Sequence, residues 1–291
     1  MHAAPHRPLL DLLQPGAATL IPGAFDAMTA RMVEAAGFPV VYLTGAGVTN
    51  ALLGAPDLGL ITATEMAAQI AACRAAVRIP IIADGDTGFG NALNLVRTVR
   101  LYERAGANAI QLEDQEFPKR CGHFEGKAVV PLAEMVQKVR AAVDSRRDEH
   151  FLVIARTDAR AVEGMAAALE RAAAYRAAGA DVLFVEAPRS EEELRAIPKA
   201  LPGPHLANIV HGGKTPMLPQ AALAEMGYGG VLYANAALQS AMLAIGRTLQ
   251  HLKEQGSLAG AESQLIGFKE RQDVVDFDGW SALDRRYAAR R

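Results

Sequence analysis

Cysteine is scarce in this chain: there are two, Cys73 and Cys121, among 291 residues. Two thiols cannot build a disulfide framework, and such usage suits a reducing cytosol, so a cytoplasmic location is expected. An excess of positive charge is also missing. Lys and Arg total 30 against 32 Asp and Glu, for a formal net charge of −2. No basic footprint is left to recruit nucleic acid. No apolar run reaches the roughly 18–20 residues that cross a bilayer. The segment from Met1 to Gln14 lacks the long apolar core of a signal peptide. A soluble protein is expected, with neither nucleic acid nor membrane as partner.

What is present is a rhythm. Short apolar runs recur at Thr19–Pro22, Val40–Leu43, Ile79–Ala83, Ala109–Leu112, Leu152–Ala155, Val182–Val185, Leu206–Ile209 and Val231–Tyr233. Continuous rather than alternating runs fit strands buried on both faces of a parallel sheet. Ala-rich helical stretches separate them. Asp26–Ala36, Asn91–Ala105 and Met165–Ala178 are each followed by a glycine, the usual C-terminal stop. Eight strand-then-helix units predict an α/β protein, a (β/α)8 TIM barrel, with an open doubly wound sheet as the weaker alternative. Residues 1–250 are expected to form the barrel. Residues 251–291 are expected to form a C-terminal helical extension, with Lys253–Gly260 as a turn, Glu262–Asp276 as a helix, and the whole packing on a neighbouring subunit.

The residues that close each run carry the chemistry. They include Tyr42 and Thr44-Gly45-Ala46, Asp84-Gly85-Asp86, Glu113-Asp114, Arg156-Thr157-Asp158, Glu186, Asn208 with His211, and Asn235. In a barrel these ends converge on one rim, where active sites are built. A turn at Gly85 aims Asp84 and Asp86 at one point, and Glu113 joins them from the next strand. Carboxylates gathered in this way repel one another unless a cation neutralises them. A hard oxygen donor set favours Mg2+, with Mn2+ as an alternative, over zinc. The competing reading has Asp86 capping a helix and Glu113 pairing with a lysine. Arg156 presents a planar fork suited to a substrate carboxylate, against the alternative of a structural pair with Asp158 or Glu186. Backbone N–H groups of Gly45-Ala46 and Gly122-His123 are candidates to hold a second carboxylate. Lys119-Arg120-Cys121-Gly122-His123 places a thiol among Lys119, Arg120 and His123, cations that favour the thiolate. Such a group can deliver a proton near neutral pH as a general acid. Against that stands a surface loop with one incidental cysteine. The substrate so implied is a small di- or trianion.

Taken in order, Asp84-Gly85-Asp86-Thr87-Gly88-Phe89-Gly90, Glu113-Asp114-Gln115, Pro118 to His123, Arg156-Thr157-Asp158-Ala159, and Asn208 ahead of Gly213-Lys214-Thr215-Pro216 resemble the isocitrate lyase/phosphoenolpyruvate mutase superfamily. The resemblance runs from about Leu20 to Leu249. It is strongest to the group of methylisocitrate lyases, 2,3-dimethylmalate lyases and carboxyphosphonoenolpyruvate mutase-like proteins. It implies a magnesium-dependent barrel with Asp84, Asp86 and Glu113 around the metal and Asp57 in an outer role. It implies Cys121 as the catalytic cysteine, and Thr44, Gly45, Ala46, Arg156, Glu186 and Asn208 at substrate positions. It also implies exchange of the last barrel helix between subunits, in dimers assembled as tetramers.

The implied reaction is cleavage of a 2-hydroxydicarboxylate to an α-keto acid, with Cys121 protonating the other fragment. Two positions depart from the pattern: His211 stands where many relatives have Glu, and Gln239 stands where methylisocitrate lyases have Arg. A missing charge at 239 favours a dicarboxylate, such as an alkyl-substituted malate, over a tricarboxylate. The alternatives are a phosphorylmutase of the same superfamily, an oxaloacetate hydrolase or decarboxylase, and, more distantly, a binding protein without activity.

Overall fold

The computed structural model describes residues 8–120 and 126–288. Eight strands, β1 (Thr19–Ala24), β2 (Val41–Leu43), β3 (Ile81–Asp84), β4 (Ala109–Glu113), β5 (Leu152–Thr157), β6 (Val182–Val185), β7 (His205–Asn208) and β8 (Gly230–Tyr233), pair in parallel and in sequence order. β1 closes on β8 with Thr19 beside Gly230. The expected (β/α)8 barrel is what the chain forms. The helices are α1 (Leu9–Leu12), α2 (Ala27–Ala35), α3 (Gly45–Leu53), α4 (Ala63–Ala76), α5 (Ala92–Ala105), α6 (Leu132–Ser145), α7 (Ala159–Val162), α8 (Met165–Ala177), α9 (Glu191–Ala200), α10 (Gln220–Glu225), α11 (Ala236–Gln255), α12 (Phe268–Val274) and α13 (Phe277–Tyr287).

Local sequence sets the helix ends. Thr62 and Glu65 form a reciprocal cap on α4, and the Asn91 side chain accepts the N–H groups of Leu93 and Asn94 at the start of α5. Gly37, Gly106 and Gly179 follow α2, α5 and α8 in the left-handed region, as the sequence predicts.

Side chains alternate across a strand, so each one has an inner and an outer face. The outer set, including Val41, Ile81, Ile110, Val153 and Leu183, packs under the helices. The inner set fills the barrel with Ile21, Tyr42, Ile82, Ile154, Phe184, Leu206 and Leu232, and Leu9 and Leu13 join it. Two residues further along the same inner face the character changes from apolar to ionic or amide. Ile82 gives way to Asp84, Ile154 to Arg156, Phe184 to Glu186 and Leu206 to Asn208, while on β4 Gln111 is already polar two residues before Glu113. A plug of aliphatic and aromatic side chains therefore sits directly under a polar rim at the strand C-termini.

One glycine is dictated by closeness. A Cβ on Gly85 would stand 2.7 Å from Ile110 Cγ1 and 2.8 Å from the Gln111 carbonyl. Only glycine lets the β3 chain turn here between two aspartates. Asp86 then sits at a φ of 46°, left-handed for a non-glycine residue and held there by its surroundings.

The C-terminal segment differs from expectation. The stretch read as a turn from Lys253 continues α11 to Gln255 before Gly256 caps it, so residue 250 falls inside a helix. The helix expected over Glu262–Asp276 is a short 3-10 turn at Glu262–Gln264 and then α12. A left-handed Asp276 separates α12 from α13.

Candidate active site

The rim residues close around a cavity of about 40 Å³. Its walls include Tyr42, Thr44, Ala46, Asp57, Asp84, Gln111, Glu113, Lys119, Arg120, Arg156, Asn208 and Asn235. Most of the residues singled out in the sequence are thus brought together. Glu113 lies beside Arg156, and Asp84 beside Gln111, in the strand register.

The acidic group is buried. Asp84 is 8% exposed, Asp86 5% and Glu113 3%. Asp84 is oriented by two backbone donors, Gly45 N–H at 3.1 Å and Asp86 N–H at 3.2 Å. The Gly45 amide, expected to bind a substrate carboxylate, points instead at Asp84. It belongs to the N-terminus of α3, where unpaired N–H groups favour a negative charge. Thr44 caps that helix through Gly47 N–H. Burial pushes the Asp86 carboxyl up to about 7, against the pull of Lys119, with Asp84 and Asp57 adding repulsion. Burial likewise raises Glu113 well above the usual carboxylate range, although Arg156 opposes it.

Lys119 is the cation inside this group. Its ammonium pairs with Asp57 and lies 2.8 Å from Asp86 Oδ1. Lys119 was read as a partner of the Cys121 thiol. Among the described residues its charge is engaged with Asp57 and Asp86, a lysine–carboxylate pairing of the kind the competing sequence reading had assigned to Glu113. Arg120 is anchored through its backbone, N–H to Gln115 Oε1 and carbonyl to Gln115 Nε2. Cys121, Gly122 and His123 lie outside the described residues.

Arg156 meets three carboxylates. It bonds Asp158 side-on, Nε to Oδ2 at 2.9 Å and Nη2 to Oδ1 at 3.1 Å. Glu113 lies 3.5 Å and Glu186 3.6 Å from the guanidinium. Its Cζ also lies 5.2 Å from the centroid of the Phe184 ring. Both structural partners weighed in the sequence are therefore present, and Arg156 nevertheless faces the cavity. Asn208 donates to Glu186 at 3.3 and 3.4 Å.

Several buried polar atoms around the cavity have no hydrogen-bond partner: Gln111 Nε2, Glu113 Oε1, Asn208 Oδ1 and Asp86 Oδ1. Asp86 Oδ1 is near Lys119 without a well-directed bond. Buried polar groups usually have partners, and a polar ligand at this rim could satisfy these four. Among the described residues, no group of three or more His, Cys, Asp or Glu side chains is arranged to hold a metal directly. The donor chemistry still fits a hydrated hard cation, held by one carboxylate and by others through water. An orphaned Glu113 Oε1 and two carboxyls raised by burial are consistent with that.

His211 and Gln239 do not line this cavity. They line a neighbouring one of about 340 Å³, together with Ile209, Met217, Tyr233 and Leu243. Val210 and Asn235 are common to both. Sequence reasoning passed over Gln111 and Lys127, and gave Asp114 no role beyond its place at the end of a run. Gln111 sits mid-strand and accepts the Tyr42 hydroxyl at 2.6 Å. Asp114 gathers Thr157 Oγ1, Tyr175 Oη and Asp158 N–H at 2.7–2.8 Å. Lys127 pairs with Asp158. The available signal for Gln111 was its spacing of two from Glu113.

A barrel with an acidic and arginine-bearing rim defines a class, and comparison with known proteins places the chain within it. A sequence model for phosphoenolpyruvate phosphomutase matches residues 9–253. A 2,3-dimethylmalate lyase of Eubacterium barkeri is 45% identical over 281 residues, covering 97% of each chain. A 2-methylisocitrate lyase of Aeropyrum pernix is 41% identical over 276 residues, 95% of this chain and 89% of that one. Among solved structures, an oxaloacetate acetylhydrolase in complex with the inhibitor 3,3-difluorooxalacetate superposes with a TM-score of 0.92 at 34% identity, covering 97% of both chains. A phosphonopyruvate hydrolase complex with oxalate and Mg2+ gives 0.84 at 31% identity, covering 94% and 95%. The chain belongs to the phosphoenolpyruvate phosphomutase family and is an enzyme of the isocitrate lyase/phosphoenolpyruvate mutase superfamily.

Proposed function

We propose that this enzyme is a divalent-cation-dependent carbon–carbon lyase. Its substrate is a small 2-hydroxydicarboxylate, an alkyl-substituted malate in preference to a methylisocitrate-like tricarboxylate. Its products are an α-keto acid such as pyruvate and a second carboxylic acid. The observation that carries this reading is the pairing, in one small rim cavity, of a cationic Arg156 with buried carboxylates, of which Glu113 Oε1 has no hydrogen-bond partner. The similarity to 2,3-dimethylmalate lyase and 2-methylisocitrate lyase supports the same reaction class.

Asp84 would ligate the cation directly, with Asp86, Glu113 and Asp57 reaching it through water. When bound, Mg2+ or Mn2+ supplies Lewis acidity that lowers the pKa of a substrate hydroxyl. The protein does the rest. Arg156 holds one substrate carboxylate through the edge that Asp158 leaves open. Gln111 Nε2 offers a donor to the bound anion, and Asn208 Oδ1 an acceptor to its 2-hydroxyl before that group ionises. The 2-hydroxyl gives its proton to a rim carboxylate acting as base, the alkoxide electrons form the C=O as the adjacent C–C bond breaks, and a ketone remains on the α-keto acid. The electron pair left on the other fragment takes a proton from the Cys121 thiol, with Arg120 and His123 beside it in sequence. Ala46 lines the approach in this reading, and Tyr42 and Thr44 fix the floor.

His211 and Gln239 sit in the adjoining, largely apolar cavity, whose lining holds no lysine or arginine. An alkyl substituent suits that space better than a third carboxylate. A second reading, oxaloacetate cleavage at the same rim, draws on the superposition with oxaloacetate acetylhydrolase. Incubation with Mg2+ and a panel of alkylmalates, methylisocitrate, oxaloacetate and phosphonopyruvate separates these. Pyruvate released chiefly from alkylmalates is the expected result. Turnover of oxaloacetate or phosphonopyruvate alone overturns the proposal.

The partner beyond the substrate would be a second copy of the chain. After Leu238, α11 leaves its side chains exposed, with Met242, Leu243, Ile245 and Leu249 each at least 56% exposed. A monomer rarely tolerates such a stripe. Exchange of this helix within dimers, assembled as tetramers, would cover it, and light scattering on the eluting protein would read a monomer if that is wrong. No described helix is long and apolar enough to cross a membrane. The cytoplasm, inferred from two cysteines, is the compartment proposed.

A further inference from the structure

Lys127 lies far in sequence from every strand-end residue of the site, yet its side chain is only 1% exposed. Its ammonium stands 2.6 Å from Asp158 Oδ1, on a carboxylate that is itself 0% exposed. That same Oδ1 accepts Arg156 Nη2, and Oδ2 accepts Arg156 Nε. Asp158 therefore grips the guanidinium along one edge and leaves Nη1 facing Glu186 and the cavity. Asp158 is fixed from behind, since its N–H donates to Asp114 and Asp114 is held by Thr157 and Tyr175.

Charge makes Lys127 more than a prop. Asp158, Glu113 and Glu186 all lie within 3.6 Å of Arg156. One guanidinium among three carboxylates is a poor receptor for an anion. Lys127 neutralises the carboxylate nearest to the guanidinium, so Arg156 keeps attraction for a ligand. The backbone around Lys127 does not depend on the ion pair. Glu116 N–H donates to the Ala128 carbonyl, Gln115 bridges Val129, and Val130 N–H donates to the Asp114 carbonyl.

We propose that Lys127 is a positioning residue for anion binding, acting through Asp158 to orient Arg156 and leave its charge available. The inference rests on the reading of Arg156 as the substrate-carboxylate ligand.

The test uses the full-length, Mg2+-loaded enzyme and oxalate as the binding probe, by titration calorimetry, with KM and kcat measured on the alkylmalate that the wild type cleaves. Lys127→Met is expected to weaken oxalate about tenfold or more, the usual consequence of removing one partner of a buried charge pair. KM should rise in parallel while kcat changes less, the pattern of lost uniform binding. Lys127→Arg should restore most of the affinity. In an Asp158→Asn background, Lys127→Met should add little, because the route through Asp158 is gone. Oxalate affinity and KM unchanged in a folded Lys127→Met protein overturn the proposal, as does a fall in kcat alone. If Lys127→Met does not fold, Lys127→Gln gives the same reading with a donor retained. A wild type that binds no oxalate with Mg2+ and cleaves no alkylmalate overturns the functional reading itself, a result distinct from a mutant without effect.

Discussion

Replacing Lys119 by methionine removes the one lysine that sits inside the acidic rim. Its ammonium lies 2.8 Å from Asp86 and also pairs with Asp57, and it is 4% exposed. At an effective dielectric constant of ~20, two charges at that separation attract by about 6 kcal/mol. Desolvation returns part of that attraction, and breaking a buried pair by deleting one partner typically costs about 3–5 kcal/mol. Asp57, Asp84, Asp86 and Glu113 would then face one another, with Arg156 3.5 Å from Glu113 as a remaining cation. Lys119→Met should therefore unfold at markedly lower denaturant in EDTA. A divalent cation that binds only the folded state restores stability by mass action. Millimolar Mg2+ should stabilise Lys119→Met more than it stabilises the wild type. Urea unfolding followed by circular dichroism, with EDTA and with Mg2+, measures both effects. A mutant as stable as the wild type in EDTA, or indifferent to Mg2+, would refute the view of the cluster as a cation site partly neutralised by Lys119.

Three further outcomes are expected. Cys121→Ser should lose roughly 10²–10⁴-fold in lyase turnover, the span of general acid–base contributions, while Mg2+ binding persists. Normal cleavage by that mutant would remove the thiol from the mechanism. Although burial alone would raise it, Arg156 and Lys127 hold the Asp158 carboxyl down to about 2. Its folded value lies below an unfolded value of about 3.9, so the stability it contributes, about 2–3 kcal/mol, is present above pH ~4 and is lost as pH falls through 2. Asp158→Asn should flatten the stability-against-pH curve below pH 4 by one proton's worth of slope, and an unchanged acid limb would contradict this. Gln239→Arg should improve methylisocitrate binding relative to alkylmalates, and an unaltered ratio of KM values would place residue 239 away from the substrate.

The barrel could be read from the chain because buried parallel strands leave continuous apolar runs, and all eight runs fall on strands. Val182–Val185 matches β6 to the residue, whereas β5 continues two residues beyond the expected Ala155 through Arg156 and Thr157. Those polar residues still pair in the sheet because the strand's inner face turns from core to rim there. The rim was legible for the same reason: Asp84, Glu113 and Arg156 each terminate an apolar run. Gln111 was not, since a lone amide inside such a run looks like noise until its spacing from Glu113 is considered. Lys127 and Asp158 are 31 residues apart, and no local pattern announces a pair closed only by the loop after β4 meeting the end of β5. Lys119 was assigned by its sequence neighbour, Cys121, and its pairing with Asp57 and Asp86, from the loop after α3 and the turn after β3, has no local sequence signal. In the tail, the break at Asp276 is a backbone choice that hydrophobic periodicity does not encode.

The most direct test is pyruvate release from 2,3-dimethylmalate by EDTA-treated enzyme, followed by a coupled reduction as Mg2+ is added back. No activity in EDTA, recovering with Mg2+ to a rate saturable in the dicarboxylate, is the predicted result. Cation-independent release, or no release from any alkylmalate with Mg2+ present, would contradict a cation-dependent 2-hydroxydicarboxylate lyase built on this rim.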